Sequence, residues 1–142
     1  MTVARIINDK GRDVVTVAPG VSMAEVAAML SEKRIGAVLV VEDGAIRGIV
    51  SERDIVHGIA RHGSEALRKL AADCMTPRVV TCGPEDTINE VMHKMTSGRF
   101  RHLPVLENGK LVGIVSIGDV VKRRIEEVEK EADQIREYIS TA

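Results

Sequence analysis

The chain of 142 residues has one Phe, one Tyr and no Trp, two Cys and four Pro. Without aromatics it lacks the stacking platforms that single-strand nucleic-acid binders use. A net charge of −1, with no long block of one sign, also denies it the basic face that counterion-release binding requires. Nucleic acid is therefore not expected as a partner. No apolar run approaches the roughly 20 residues of a membrane span, and the N-terminus lacks the apolar core of a signal peptide. The sequence reads as cytoplasmic, with no membrane partner. Cys74 and Cys82 fit neither a C-x-x-C pair nor a disulfide framework, and are expected as small buried or half-buried thiols. His57, His62, His93 and His102 are scattered without ligand spacing, so no metal site is expected.

What the chain does have is itself, twice. Residues 14–57 recur at 79–122 with a constant offset of 65 and no insertion, and 16 of the 44 aligned positions are identical. A long repeat present only twice points to two copies packed about a pseudo-twofold axis, each too small alone to bury an ample core. A composition of 44% hydrophobic and 29% charged residues is globular, so one cooperative module is expected. Its parts would be residues 1–65 (first repeat with a lead segment), 66–125 (second repeat) and 126–142 (a helical extension).

Within a repeat, Val14-Val15-Thr16-Val17 reads as a short strand closed by Ala18-Pro19-Gly20. Ser22-Met23-Ala24-Glu25 has the form of a capping box, with apolar residues following at helical spacing, which predicts a helix over about 22–33. Asp43-Gly44 between two apolar runs predicts a β-hairpin, because both turn residues tolerate positive φ. Asn108-Gly109 repeats the signal. A second helix follows over about 52–61. The fold class is therefore α+β: two βαββα repeats and a C-terminal amphipathic helix. In that helix Val121, Ile125, Val128, Ala132, Ile135 and Ile139 alternate steps of four and three, a heptad seam that either folds back on its own domain or pairs across a dimer. The lead segment 1–13 has no assigned form.

Chemistry is expected where Gly48-Ile49-Val50-Ser51-Glu52-Arg53-Asp54 and Gly113-Ile114-Val115-Ser116-Ile117-Gly118-Asp119 pass from a buried strand into a helix. Unpaired amides and the positive dipole end favour an anion there, and an aspartate can accept two hydroxyl hydrogen bonds from a cis-diol such as ribose. Ser-x-x-Asp is also nearly a capping box, which explains the serine and, less well, the shorter aspartate. Both explanations stand on spacing alone.

The two Gly-to-Asp signatures, together with Arg101-His102-Leu103-Pro104-Val105 and Cys74-Met75-Thr76-Pro77, resemble the CBS domain. Over about residues 3–125 the chain is similar to a tandem CBS pair, or Bateman module. That resemblance implies a regulatory module for an adenosyl ligand (AMP, ADP, ATP, S-adenosylmethionine or NAD(H)) held in two clefts between the repeats, with no cofactor required and no catalytic residue. By position, Asp54 and Asp119 would grip ribose hydroxyls, Ser51 and Ser116 would lie by sugar or phosphate, and Thr16 and Thr81 would hydrogen-bond the ligand. Backbone at Ala37-Val38 and Leu103-Pro104 would line the adenine pocket. With so few aromatics, adenine would lie between Ile49, Ile114, Val38 and Met75. Arg101 and His102 replace Gly36 and Ala37, and Arg53 replaces Gly118, so the clefts should be unequal, with the one bearing Asp119, Arg101 and His102 the better phosphate binder. Lys33, Arg34 and Arg99 are expected to end helices. A homodimer and an effector protein are the expected partners. A dimerisation scaffold with vestigial clefts is the rival reading; an enzyme is disfavoured, since no Ser-His-Asp or Cys-His constellation is evident.

Overall fold

A computed structural model describes residues 1–141. Its elements are α1 (Val3–Lys10), β1 (Thr16–Val17), α2 (Met23–Lys33), β2 (Ala37–Glu42), β3 (Ala45–Ser51) and α3 (Glu52–His62), followed by a 3₁₀ segment Gly63–Arg68 and the single turn α4 (Ala71–Cys74). Then come α5 (Ile88–Gly98), β4 (His102–Glu107), β5 (Lys110–Ser116) and α6 (Ile117–Thr141). They fall into two compact units, Val14–Val79 and Met1–Asp13 joined with 80–141. Packing thus departs from chain order: the lead segment, grouped by sequence with the first repeat, folds as α1 in the unit of the second.

The unit Val14–Val79 holds a three-stranded sheet in the order β1-β2-β3, with β1 parallel and β3 antiparallel to β2. Asp43 (φ 52°) and Gly44 (φ 77°) turn the hairpin in the left-handed conformation that the sequence predicts. Helix α2 starts at Ser22, whose hydroxyl accepts the Glu25 N–H at 3.2 Å. It buries Met23, Val26 and Leu30, one face at helical spacing, against Val38, Val40 and Val50 of the sheet. Arg34 ends it in the left-handed conformation, as Arg99 ends α5. Beyond β3, Thr76 exchanges both backbone bonds with Ile49 (2.9 and 3.0 Å) and extends the sheet by one residue.

The other unit repeats this plan with two differences. The strand that the repeat implies at 79–82 is reduced to a single bridge, Cys82 to Val105. The reason is Pro104. Its counterpart Leu39 donates its N–H to Val15 (3.2 Å), and a proline has no N–H to give the equivalent Val80. The second difference is α1, which carries Val3, Ile6 and Ile7 into the core with Ile88, Val91, Met95, Leu103, Val105, Val115 and Val120. Carbonyls of Pro84 and Asp86 take the N–H groups of Ala4 and Val3, satisfying two orphan donors at the start of α1. Helix α6 buries Val120 near its start and then leaves its heptad seam bare: Val121, Ile125, Val128, Ile135 and Ile139 are 42, 53, 48, 59 and 68% exposed.

Gly48 and Gly113 each admit a close neighbour. A Cβ on Gly48 would lie 2.9 Å from the backbone oxygen of Thr76, which is fixed by the Ile49 pairing. On Gly113 it would meet Ile7 Cδ1 at 2.5 Å, the free end of a side chain that can swing away. Gly48→Ala should therefore cost about 1–3 kcal/mol, as overpacking does, and visibly more than Gly113→Ala. Urea unfolding of the two variants beside the parent checks the order; an equal loss would show that neither backbone approach is rigid.

Candidate functional site

Each hairpin runs straight into a helix, β3 into α3 at Ser51-Glu52 and β5 into α6 at Ser116-Ile117. In the first repeat the Ser51 N–H donates to Asp54 Oδ2 at 2.8 Å, and the Ser51 hydroxyl donates to the same oxygen at 3.2 Å. In the second the Ser116 N–H donates to Asp119 Oδ2 at 2.9 Å, while the Asp119 N–H donates back to Ser116 Oγ at 3.1 Å. Capping thus accounts for the aspartates as well as the serines, short side chain notwithstanding. The next amide is also taken: Glu52 N–H reaches the Gly36 carbonyl (3.0 Å) and Ile117 N–H the Arg101 carbonyl (2.8 Å). What each junction offers a ligand is therefore its carboxylate more than a bare helix start.

Strand alternation decides which candidates can face a ligand. Val38, Val40 and Val50 point into one core, Leu103, Val105 and Val115 into the other, so Ala37, Ile49, Ser51, His102, Pro104, Ile114 and Ser116 share the opposite faces of their sheets. This corrects the expectation for Val38: its side chain is fully buried among α2 residues, so only its backbone, like that of Leu103, can contribute to a base pocket. In the first repeat Thr16, Leu39, Ile49 and Thr76 form one row across the strands, with Met75 beside Gly48. Ala37 pairs with Ser51, and His102 with Ser116, next to the aspartates. Thr16, Arg53 and Arg101 are exposed; Thr81 and His102 are half-buried. The Thr81 carbonyl accepts a hydrogen bond from Lys94 Nζ at 3.1 Å.

The sequence reading missed Lys10. At the C-terminal end of α1, its ammonium donates to Asp119 Oδ2 at 2.6 Å and to the Ile114 carbonyl at 3.0 Å. The offset of 65, carried into the segment left without assigned form, sets Lys10 opposite Met75 (75 − 10 = 65) and is the signal that could have found it. Burial pushes the Asp119 carboxyl up, but the hydrogen bonds from Lys10 and the Ser116 N–H and the Lys10 charge outweigh it and hold the group below its ordinary value. Burial raises the Cys82 thiol to about 11, with Asp86 adding to the shift, so it stays protonated near neutrality and offers no nucleophile. An open groove of about 710 Å³ between α1, α5 and α6, with Arg5, Asn89, Arg124 and Glu127 in its lining, touches none of the candidate residues.

The CBS domain family model matches residues 4–61 and 71–126. A CBS-domain containing protein from Agrobacterium tumefaciens, ATU1752, has a crystal structure that superposes with a TM-score of 0.85 at 49% identity, covering 87% of this chain and 99% of that one. The CBS domain protein PAE2072 from Pyrobaculum aerophilum, solved in complex with AMP, superposes with a TM-score of 0.72 at 26% identity over 84% of this chain and 89% of that one. Among curated proteins, the mitochondrial CBS domain-containing protein CBSX3 of Arabidopsis thaliana is 34% identical over 115 residues, 78% of this chain and 56% of that protein. The chain spans little more than half the length of the first curated relatives it matches.

Because Asp119 has a lower pKa folded than unfolded, its contribution to stability is complete above the unfolded value of about 3.9 and is lost as pH falls through the lower folded value. Asp119→Asn should thus be less stable than the parent at neutral pH, with the gap closing on acidification below about pH 4. Thermal melts across that range test it; a gap independent of pH would mean the carboxylate charge is not what Lys10 and Ser116 hold.

Proposed function

The chain belongs to the CBS-domain family and carries the domain twice, and from that premise we propose that it is a regulatory module whose ligand is an adenosyl compound, AMP, ADP, ATP, S-adenosylmethionine or NAD(H), read out by a partner protein. The observation that carries this is the placement of Asp54 and Asp119. Each carboxylate is fixed by the backbone N–H of the Ser that ends its hairpin, next to the Ala37–Ser51 pair in one unit and the His102–Ser116 pair in the other. AMP in the PAE2072 complex supports the same ligand class. In the first repeat Asp54 takes the ribose hydroxyls, with Thr16 and Ser51 beside the sugar and Ile49 against the base; the Met75 side chain, expected there too, packs beside Gly48 against the core instead. Exposed Arg53 takes phosphate. The second repeat offers Asp119, Ser116, Thr81 and Ile114, with Arg101 and His102 in place of Arg53.

The scaffold reading, with its vestigial clefts, remains the rival; its dimerisation half is favoured by one feature of its own, the bare seam of α6, and that half is compatible with ligand binding. A second copy of this chain is the occupant proposed for the seam. Paired parallel and in register, with Ile125, Ala132 and Ile139 at a and Val121, Val128 and Ile135 at d, Arg124 would face Glu129 of the second copy and Glu131 would face Arg136. An antiparallel pair over the same length would set Glu129 and Glu131 each against itself and Lys122 against Arg136. Packing on α5 and β5 already orders the start of α6, so the nucleation cost of an isolated helix does not arise.

Titration calorimetry with AMP, ATP, NADH and S-adenosylmethionine should give saturable heat for at least one of them, weakened tenfold or more in Asp54→Asn/Asp119→Asn. Asparagine keeps a capping acceptor, so the loss reports on the ligand; unchanged affinity sinks the assignment of the carboxylates. Light scattering should find a dimer that becomes a monomer in Val128→Lys/Ile135→Lys, two exposed positions whose change leaves the core alone. A dimer that survives this pair of charges is not held by α6.

A further inference from the structure

Resting on the adenosyl reading, we infer that the two junctions are not two working sites: the chain takes one adenosyl ligand, at Asp54, and Lys10 of the lead helix keeps the carboxylate of Asp119 occupied.

The two repeats are alike in every residue of the junction that touches the carboxylate and differ in what comes to it from outside. At Asp54 the donors to Oδ2 are the N–H and hydroxyl of Ser51, both part of the cap. At Asp119 the Ser116 hydroxyl instead accepts the Asp119 N–H, and the second donor to Oδ2 is the Lys10 ammonium. That bond is charge-assisted and short, 2.6 Å. The same ammonium donates to the Ile114 carbonyl, whose counterpart in the first repeat, the Ile49 carbonyl, accepts the Thr76 N–H. Lys10 therefore stands in for a backbone pairing as well as for a ligand's hydroxyl.

Nor is it a loose side chain that wandered there. Helix α1 is seated by buried Val3, Ile6 and Ile7, with Ile7 lying over Gly113, and Asp9 pairs with Arg123 on the first turns of α6. The end of α1 is thus delivered to the junction by a core, and the side chain needs only its own rotamer to reach Asp119. The first repeat has Met75 at the matching position, an apolar side chain beside Gly48 that cannot ion-pair with Asp54. A ribose arriving at Asp119 must compete with an ammonium already bonded to the carboxylate at 2.6 Å. At Asp54 it competes with water and a serine hydroxyl. This reverses the order expected from Arg101 and His102: Arg101 supplies charge for phosphate, but the grip on the sugar is taken.

Calorimetry on the full chain distinguishes the cases, using whichever of AMP, ATP, NADH or S-adenosylmethionine binds the parent most tightly. The parent should bind one ligand per chain, and Asp54→Asn should lose it by tenfold or more. Lys10→Met, which copies the first repeat, should raise the stoichiometry to two, and Lys10→Met/Asp54→Asn should retain one ligand that Asp119→Asn then removes. Lys10→Gln serves as a second opening variant, with circular dichroism melts to show that both fold. Two ligands on the parent, full binding retained in Asp54→Asn, or no added site in either Lys10 variant overturns the inference while leaving the adenosyl reading intact. Absence of heat from every ligand with parent and variants alike overturns the adenosyl reading first.

Discussion

Both units depend on one close approach, the laying of a segment from outside the hairpin across a glycine in its last strand. Met75 and Thr76 cross Gly48, and Ile7 lies over Gly113. Neither approach leaves room for a β-carbon. In the first repeat it adds a backbone pair to the sheet and brings a thioether to the junction; in the second it brings a helix end and, through it, a positive charge. The chemical inequality of the repeats grows from this step. Their strands, turns and caps are nearly interchangeable, and what differs is the segment laid on top.

The carboxylates at the junctions are capping residues first, and the proposed ligand role would ask for no change in how they are held. A capping aspartate is already dehydrated on one oxygen, oriented by the Ser amide and held against the end of a sheet. Those are the conditions under which a diol is recognised with little reorganisation. Capping and ligand binding were weighed on sequence as rivals, yet Asp54 and Asp119 satisfy the first without forfeiting the second. In Asp119 the partnership with Lys10 tilts that balance further toward structure.

Legibility followed locality. The hairpins at Asp43-Gly44 and Asn108-Gly109, the cap at Ser22 and the helix ends at Arg34 and Arg99 are each set by a few adjacent residues and are legible in the sequence, although the left-handed conformation of the two arginines is not. The Val38 side chain was placed wrongly because a run of apolar residues in a strand does not say which side faces the core; the pairing of Val38 with Val50 does. The reduction of the strand at 79–82 is hidden by the repeat itself, since symmetry argues for a full strand while Pro104 cannot make the bond to Val80 that Leu39 makes to Val15. Lys10 was invisible for the opposite reason: α1 is stabilised by a partner more than 70 residues away (Ile88, Val91 and beyond), and no local pattern announces that.

Pro104 has a consequence beyond its own repeat. An exposed sheet margin invites a foreign chain to dock by main-chain bonding, and the invitation depends on an unbroken row of donors. The second sheet breaks that row with a pyrrolidine ring, so a stranger aligning along β4 would leave one of its own carbonyls unanswered. The first sheet has no such interruption and relies on the two residues of β1 to cover its flank. Were that cover to peel away, clumping of the molecule would begin there.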